Sequence, residues 1–294
     1  MFRGAITALA TPFRNDRVDE ESFRALIDWQ IREGIHGIVP CGTTGESATL
    51  SHEEHGRVID IAVAESRGRV PVIAGTGSNS TAEAIRLTRH AKEARADGAL
   101  LITPYYNKPT QEGLYLHYKR IAEETQFPLI VYNVPSRTGG NLLPETMARL
   151  AEIPQIVGIK EATGDLRQVS DVVEQCGDRI AVLSGDDFTA LPLMSLGGHG
   201  VISVISNIAP ADVVGMVEAF EAGDVARARA LHFKMMPLTR ALFNETNPIP
   251  VKTALAWMGR FRLEFRLPLC PMQEANRVRL EKELIAYGLL EGKR

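Results

Sequence analysis

Short apolar runs alternate with longer amphipathic stretches along nearly the whole 294-residue chain. The runs are Ala5–Leu9, Gly37–Pro40, Val70–Ala74, Ala99–Thr103, Leu129–Tyr132, Ile156–Ile159, Ile180–Leu183 and Gly200–Val204. Most are continuously apolar rather than alternating, the pattern of parallel strands buried on both faces. Between them the spacing predicts helices. Phe23, Leu26, Ile27 and Ile31 share one face of the first. Ser51-His52-Glu53-Glu54 and Ser80-Thr81-Ala82-Glu83 both fit a capping box, and Pro144 and Pro210 sit where a first helical residue would.

Eight strands, each followed by a helix, predict right-handed crossovers closing into a (β/α)8 barrel. The eighth helix is expected from about Pro210 to Ala222. The remainder is helical in pattern and broken near Asn247-Pro248-Ile249-Pro250, so a catalytic barrel over residues 1–223 and a helical appendage over 224–294 are expected. An open doubly wound sheet is the rival. It would need a glycine-rich phosphate turn after the first strand, where the chain reads Thr11-Pro12-Phe13.

Composition narrows the function. A net charge of -3 offers no basic stripe for nucleic acid. The three cysteines, Cys41, Cys176 and Cys270, are far apart and form no zinc-ligand spacing, which suits a reducing compartment. No His/Asp/Glu cluster has metal-ligand spacing. With no signal segment and no apolar stretch near the roughly 18 residues that span a bilayer, a cytoplasmic protein is expected.

In such a barrel chemistry gathers at the C-terminal ends of the strands. Of eight lysines, seven lie in polar helical or loop contexts where a solvated ammonium is expected; only Lys160 directly continues an apolar strand. Desolvation there would favour the neutral, nucleophilic amine that a Schiff base needs. The alternative is a structural pair with Glu161 or Asp186. Tyr132, at the end of the fifth strand, is placed to shuttle a proton, and Arg137, in the loop after it, to clamp a carboxylate. A tyrosine capping the core and an exposed arginine are the alternatives.

The turn Cys41-Gly42-Thr43-Thr44-Gly45-Glu46-Ser47 would let N–H groups and hydroxyls converge on an anion at the following helix start, or is a plain tight turn. Cys41 has no histidine placed as its base. The adjacent Tyr105 and Tyr106 point in different directions, so one is free to face a neighbouring subunit, although packing alone would also account for the pair. Glycines at Gly75, Gly77 and Gly185 permit close approach, Ile202 ends the eighth strand, and His199 precedes that strand and is read as structural.

Several segments in order resemble the dihydrodipicolinate synthase family, within the N-acetylneuraminate lyase superfamily of class I aldolases. They are Gly42–Ser47, Thr103–Tyr106, Tyr132–Gly139, Gly158–Ala162, Gly197–Ser203 and Asn247–Lys252, spanning nearly the whole length. The resemblance implies that Lys160 forms an imine with pyruvate, whose enamine attacks L-aspartate-4-semialdehyde to give 4-hydroxy-tetrahydrodipicolinate, the committed step toward lysine and diaminopimelate. No cofactor is implied beyond the covalent imine.

The resemblance further implies that Tyr132, Thr43 and Tyr106 relay protons, with Tyr106 supplied by a neighbouring subunit, and that Thr44, Arg137, Gly185 and Ile202 bind substrate. A dimer is then the smallest complete catalytic unit, and a dimer of dimers is expected. Feedback-inhibited members bind L-lysine through residues matching Ser47, Ala48, His52, His55, Asn79, Glu83 and Tyr105, some of which also read as helix caps. Two rivals remain: a pyruvate-forming sugar-acid aldolase, which typically lacks the Ser136-Arg137-Thr138-Gly139 segment, and a non-catalytic carboxylate binder, which has no need of a desolvated amine.

Overall fold

The computed structural model describes residues 2–291. Eight parallel strands form its sheet: β1 Gly4–Ala8, β2 Gly37–Val39, β3 Ile73–Gly75, β4 Gly98–Ile102, β5 Leu129–Asn133, β6 Ile156–Glu161, β7 Ala181–Ser184 and β8 Gly200–Ser203. Spatial order runs β2-β1-β8-β7-β6-β5-β4-β3. A parallel bridge between Ile38 and Val72 then joins the two end strands and closes the barrel. Closure excludes the open doubly wound sheet. The strand starts differ from the sequence reading by up to three residues, most at β3, where Pro71 cannot donate to a ladder and pairing begins after it.

The outer helices are α1 Glu20–Arg32, α2 His52–Ser66, α3 Thr81–Glu93, α4 Gln111–Thr125, α5 Pro144–Leu150, α6 Leu166–Cys176, α7 Ala190–Ser195 and α8 Pro210–Glu221. Three more follow: α9 Val225–Leu242, packed on α8, then α10 Ile249–Trp257 and α11 Glu274–Tyr287. The break around Asn247–Pro250 falls between α9 and α10, as the sequence predicts.

Two cores divide the strands' faces. Ile6, Val39, Ile73, Leu100, Ile130, Leu183 and Ile202 fill the barrel, with Tyr132 at its top. Their outward-facing neighbours, such as Ala5, Ile38, Leu101, Val131 and Val182, pack beneath the helices. Burial on both faces is why these strands read as unbroken apolar runs.

The capping box at Ser51 forms: its hydroxyl accepts from Glu54 N at 3.2 Å while Glu54 Oε2 accepts from Ser51 N at 3.0 Å. The one expected at Ser80 does not. Ser78 intervenes, its hydroxyl donating to the Glu83 carboxylate and accepting from Ser80 N at 3.0 Å, so Glu83 is held outside the helix's own cap.

Candidate active site

Lys160 is the fifth residue of β6 and lies across the ladder from Tyr132 on β5. It is 6% exposed, and its Nζ stands 4.2 Å from the centroid of the Tyr132 ring. A Cβ at position 185 would sit 3.0 Å from Lys160 Cε and 2.7 Å from Ala162 Cβ, so the glycine after β7 leaves the lysine stem its room.

Burial lowers the Lys160 ammonium to about 7, with Asp187 pulling upward and Arg137 downward. Among the described residues Lys160 forms no ion pair. The carboxylate of Glu161 accepts instead from Thr163 N at 2.7 Å, Asn133 Nδ2 at 3.1 Å and Gln168 Nε2 at 3.3 Å. Asp186 Oδ1 accepts from Phe188 N at 3.0 Å. The structural pairing of Lys160 with either carboxylate is therefore not realised. Asp187 is itself buried, its Oδ2 accepting from Val204 N and Ile205 N at 2.9 and 3.0 Å. Burial raises the Tyr132 phenol, and Arg137 and Thr43 partly offset that.

The turn after β2 folds on itself. Gly45 N and Ser47 N donate to Gly42 O, at 3.1 and 3.4 Å, and Glu46 N to Thr43 O at 3.1 Å. The N–H groups of Thr43 and Thr44 take no part in these bonds, so the turn keeps N–H groups for an anion but fewer than the sequence suggests. The turn also leads into a single 3-10 turn, Ser47–Thr49, rather than directly into a helix. Thr44 is buried, its hydroxyl accepting from Asn247 Nδ2 at 3.0 Å, whereas Thr43 faces the cavity. Cys41 is buried with its thiol pushed up by desolvation, and its Sγ points to His55 O at 3.5 Å.

Arg137 sits in a four-residue helical turn, Pro135–Thr138, with Nη2 donating to Asn247 O at 3.2 Å. Arg137, Thr43 and Tyr132 line one cavity of about 450 Å3. Ser47, Ala48, His52, His55, Glu83 and Tyr105, expected at an effector site, line the same cavity, so the two groups adjoin. Burial lowers His55 to about 4. Glu83 already faces two cationic or ionisable groups, His52 Nε2 at 3.2 Å and Arg86 Nη2 at 3.6 Å.

Lys160, Thr44, Gly185 and Ile202 lie outside the cavity's lining, Ile202 within the barrel interior. Asn79 is held at its edge, donating to Tyr105 O at 3.2 Å. Tyr106 stands apart, 90% exposed and with a left-handed φ of 71°, and this single chain does not bring it to Tyr132. His199 holds the closed end of the barrel, its Nδ1 accepting from Val182 N at 3.2 Å.

Two residues escaped the sequence reading as individuals. Asn247 bridges Thr44 and Arg137. Lys252, expected to be solvated, has a completely buried side chain. The available signal was its flanks, Ile249-Pro250-Val251 before it and Thr253-Ala254-Leu255 after, which leave a helix no polar face to carry an ammonium outward. Among the described residues no group of three or more His, Cys, Asp or Glu is placed to hold a metal, and no helix is long and apolar enough to cross a membrane.

The family model for the dihydrodipicolinate synthetase family matches residues 1–287. A 4-hydroxy-tetrahydrodipicolinate synthase of Nitratidesulfovibrio vulgaris is 67% identical, covering 98% of this chain and 99% of its own. The structure of the chloride-inhibited dihydrodipicolinate synthase of Acinetobacter baumannii complexed with pyruvate superposes with a TM-score of 0.97 at 50% identity, over 99% of this chain and 100% of that one. The Cyanidioschyzon merolae enzyme with lysine bound gives 0.96 at 40% identity, over 98% and 99%. Matched end to end in sequence and in fold, the chain belongs to the dihydrodipicolinate synthetase family.

Proposed function

We infer that the chain condenses pyruvate with L-aspartate-4-semialdehyde to form 4-hydroxy-tetrahydrodipicolinate. The observation that carries the residue assignment is a lysine held near neutrality by burial, against a tyrosine, beneath a mouth that carries an arginine. Lys160 attacks the ketone carbon of pyruvate, and water leaves to give the imine. Loss of a methyl proton yields the enamine, whose carbon attacks the aldehyde. The amino group of the second substrate then displaces Lys160, closing the ring and returning the free amine. The imine serves as the electron sink, so no cofactor is required.

In this reading the free N–H groups of Thr43 and Thr44 hold the pyruvate carboxylate, with Gly185 and Ile202 shaping the floor. Tyr132, with Thr43, moves protons at the imine. Tyr106 completes the relay from a second copy of the chain, which its outward projection suits, making a dimer the smallest active unit and a dimer of dimers the assembly. Arg137 receives the carboxylate of the semialdehyde. Residues 1–223 form the catalytic barrel and 224–294 the appendage, Met1 and residues 292–294 lying outside the described residues, and the protein works in the cytoplasm. L-lysine binds at Ser47, Ala48, His52, His55, Asn79, Glu83 and Tyr105, where Glu83 offers its carboxylate to the ammonium; the shared cavity of all but Asn79 and the existence of a lysine-bound relative support an effector site.

Comparing condensation of L-aspartate-4-semialdehyde with cleavage of sugar 2-oxo acids tests the substrate assignment. Preference for the semialdehyde is expected. Faster sugar-acid cleavage would move the chain to the aldolases of the wider superfamily.

A further inference from the structure

Lys252 projects from the first turn of α10 into a space without solvent. Its Nζ donates to Glu46 Oε1 and, at 2.8 Å, to Glu264 O, and lies 4.3 and 5.2 Å from the centroids of Phe13 and Phe265. The Glu46 side chain is equally buried, and its second oxygen accepts from Arg266 N at 3.4 Å.

Two fully desolvated charges are an expensive way to hold a chain together, since apolar groups of similar shape often do as well. What the pair holds is unusual. Glu46 ends the Gly42–Glu46 turn with φ 54°, and Cys41 before it has φ 55°. Both are left-handed values that a residue with a side chain adopts only when its surroundings impose them. Glu46 N is bonded to Thr43 O at 3.1 Å, so the position of the glutamate is transmitted within one hydrogen bond to the threonine facing Tyr132. The same segment of the chain grips the turn again through Asn247 and Thr44.

We propose that Lys252, acting through Glu46, is a positioning residue that sets the Thr43/Thr44 turn for the carboxylate of the 2-oxo acid. The proposal rests on the assignment of that turn as the pyruvate carboxylate site. Lys252 never touches substrate, and its effect falls on the affinity for pyruvate. The chemistry at Lys160 and the affinity for the aldehyde stay as they are.

The test uses the full-length Glu46→Gln/Lys252→Met variant, which removes both charges and places a thioether between the two phenyl rings. Glu46→Gln alone, which keeps the shape and an acceptor for Lys252, is the gentler companion. Steady-state kinetics in both substrates and thermal unfolding are measured on each. In the double variant KM for pyruvate is expected to rise about tenfold while kcat at saturating pyruvate and KM for the aldehyde stay within about twofold, the signature of lost ground-state positioning. Glu46→Gln is expected to move KM for pyruvate in the same direction by less. KM for pyruvate unchanged in every variant that folds, whatever the unfolding temperature does, would overturn the proposal and leave the pair a purely structural pin. Borohydride trapping of the unaltered protein separates the two levels. If it gives no adduct on Lys160, the imine reading fails, and the effect of Lys252 is still read from the Kd of pyruvate by titration.

Discussion

At pH 7 an ordinary lysine with a pKa of 10.5 holds only about one amine in three thousand in the neutral form. With its pKa lowered by burial to about 7, Lys160 has about half. The environment of β6 therefore supplies roughly a thousandfold more nucleophile at neutrality. Nucleophilic attack needs the neutral amine, so imine formation gains as pH rises through the folded pKa and levels off above it. A direct assay is the exchange of pyruvate methyl protons with deuterated solvent, followed by NMR without any aldehyde, since it reports imine and enamine formation alone. The second-order rate constant should climb from pH 5, reach half its plateau near pH 7 and stay flat to pH 9. The signs of the neighbours give two corollaries. Arg137→Ala removes a cation that favours the neutral amine and moves the half-point to higher pH; Asp187→Asn removes a charge that favours the ammonium and moves it lower. A half-point near pH 10 in the unaltered protein would refute the desolvation argument outright.

Stability carries the same titration. The unfolded chain binds a proton at Lys160 between about pH 7 and 10.5 that the folded chain does not, so the folding cost of this lysine is fully present below pH 7 and fades as pH rises toward 10.5. Lys160→Met should accordingly be inactive yet more stable, by on the order of 4 kcal/mol at pH 6, with the advantage shrinking toward pH 10; a gain independent of pH in thermal or denaturant unfolding would speak against it. Tyr132→Phe should lower kcat about 100-fold or more, while borohydride still traps pyruvate slowly on Lys160; unaltered turnover would remove Tyr132 from the proton relay. Arg137→Ala should cost roughly 10- to 100-fold in kcat/KM for the semialdehyde and far less in the trapping of pyruvate, and equal losses in both would mean the arginine does not receive the second substrate. Tyr106→Phe and Lys160→Ala are each expected to be inactive, but mixed protomers should regain activity because one site of the hybrid dimer is intact; no recovery after verified exchange would contradict a shared site. L-lysine should inhibit, and Glu83→Ala should abolish its binding in calorimetry while leaving turnover in its absence unchanged.

The barrel was legible because parallel strands buried on both faces write themselves as continuous apolar runs, and all eight were found within a few residues of their ends. Lys160 was legible for the same reason: a charge directly continuing such a run has nowhere solvated to go. Lys252 carries a weaker form of that contrast in its apolar helical flanks, which mark its burial but not its partner. Its partner Glu46 is 206 residues away, and no local pattern couples them. The expected cap at Ser80 failed on a similar point, since the competing hydroxyl of Ser78 is visible but its reach to Glu83 is not. The turn after β2 forms where the sequence places it, but its internal hydrogen bonds consume N–H groups that its composition alone would leave free for an anion. Tyr106 is exposed in a single chain, and its expected role depends on a neighbouring copy.

Whether Lys160 carries pyruvate as an imine is decided in one experiment, borohydride reduction in the presence of pyruvate followed by peptide mass spectrometry. A reduced pyruvate adduct confined to the peptide containing Lys160, absent without pyruvate, is the predicted result. An unmodified Lys160 under conditions that trap a known class I aldolase would contradict the covalent mechanism and leave the chain a carboxylate-binding relative on the same barrel.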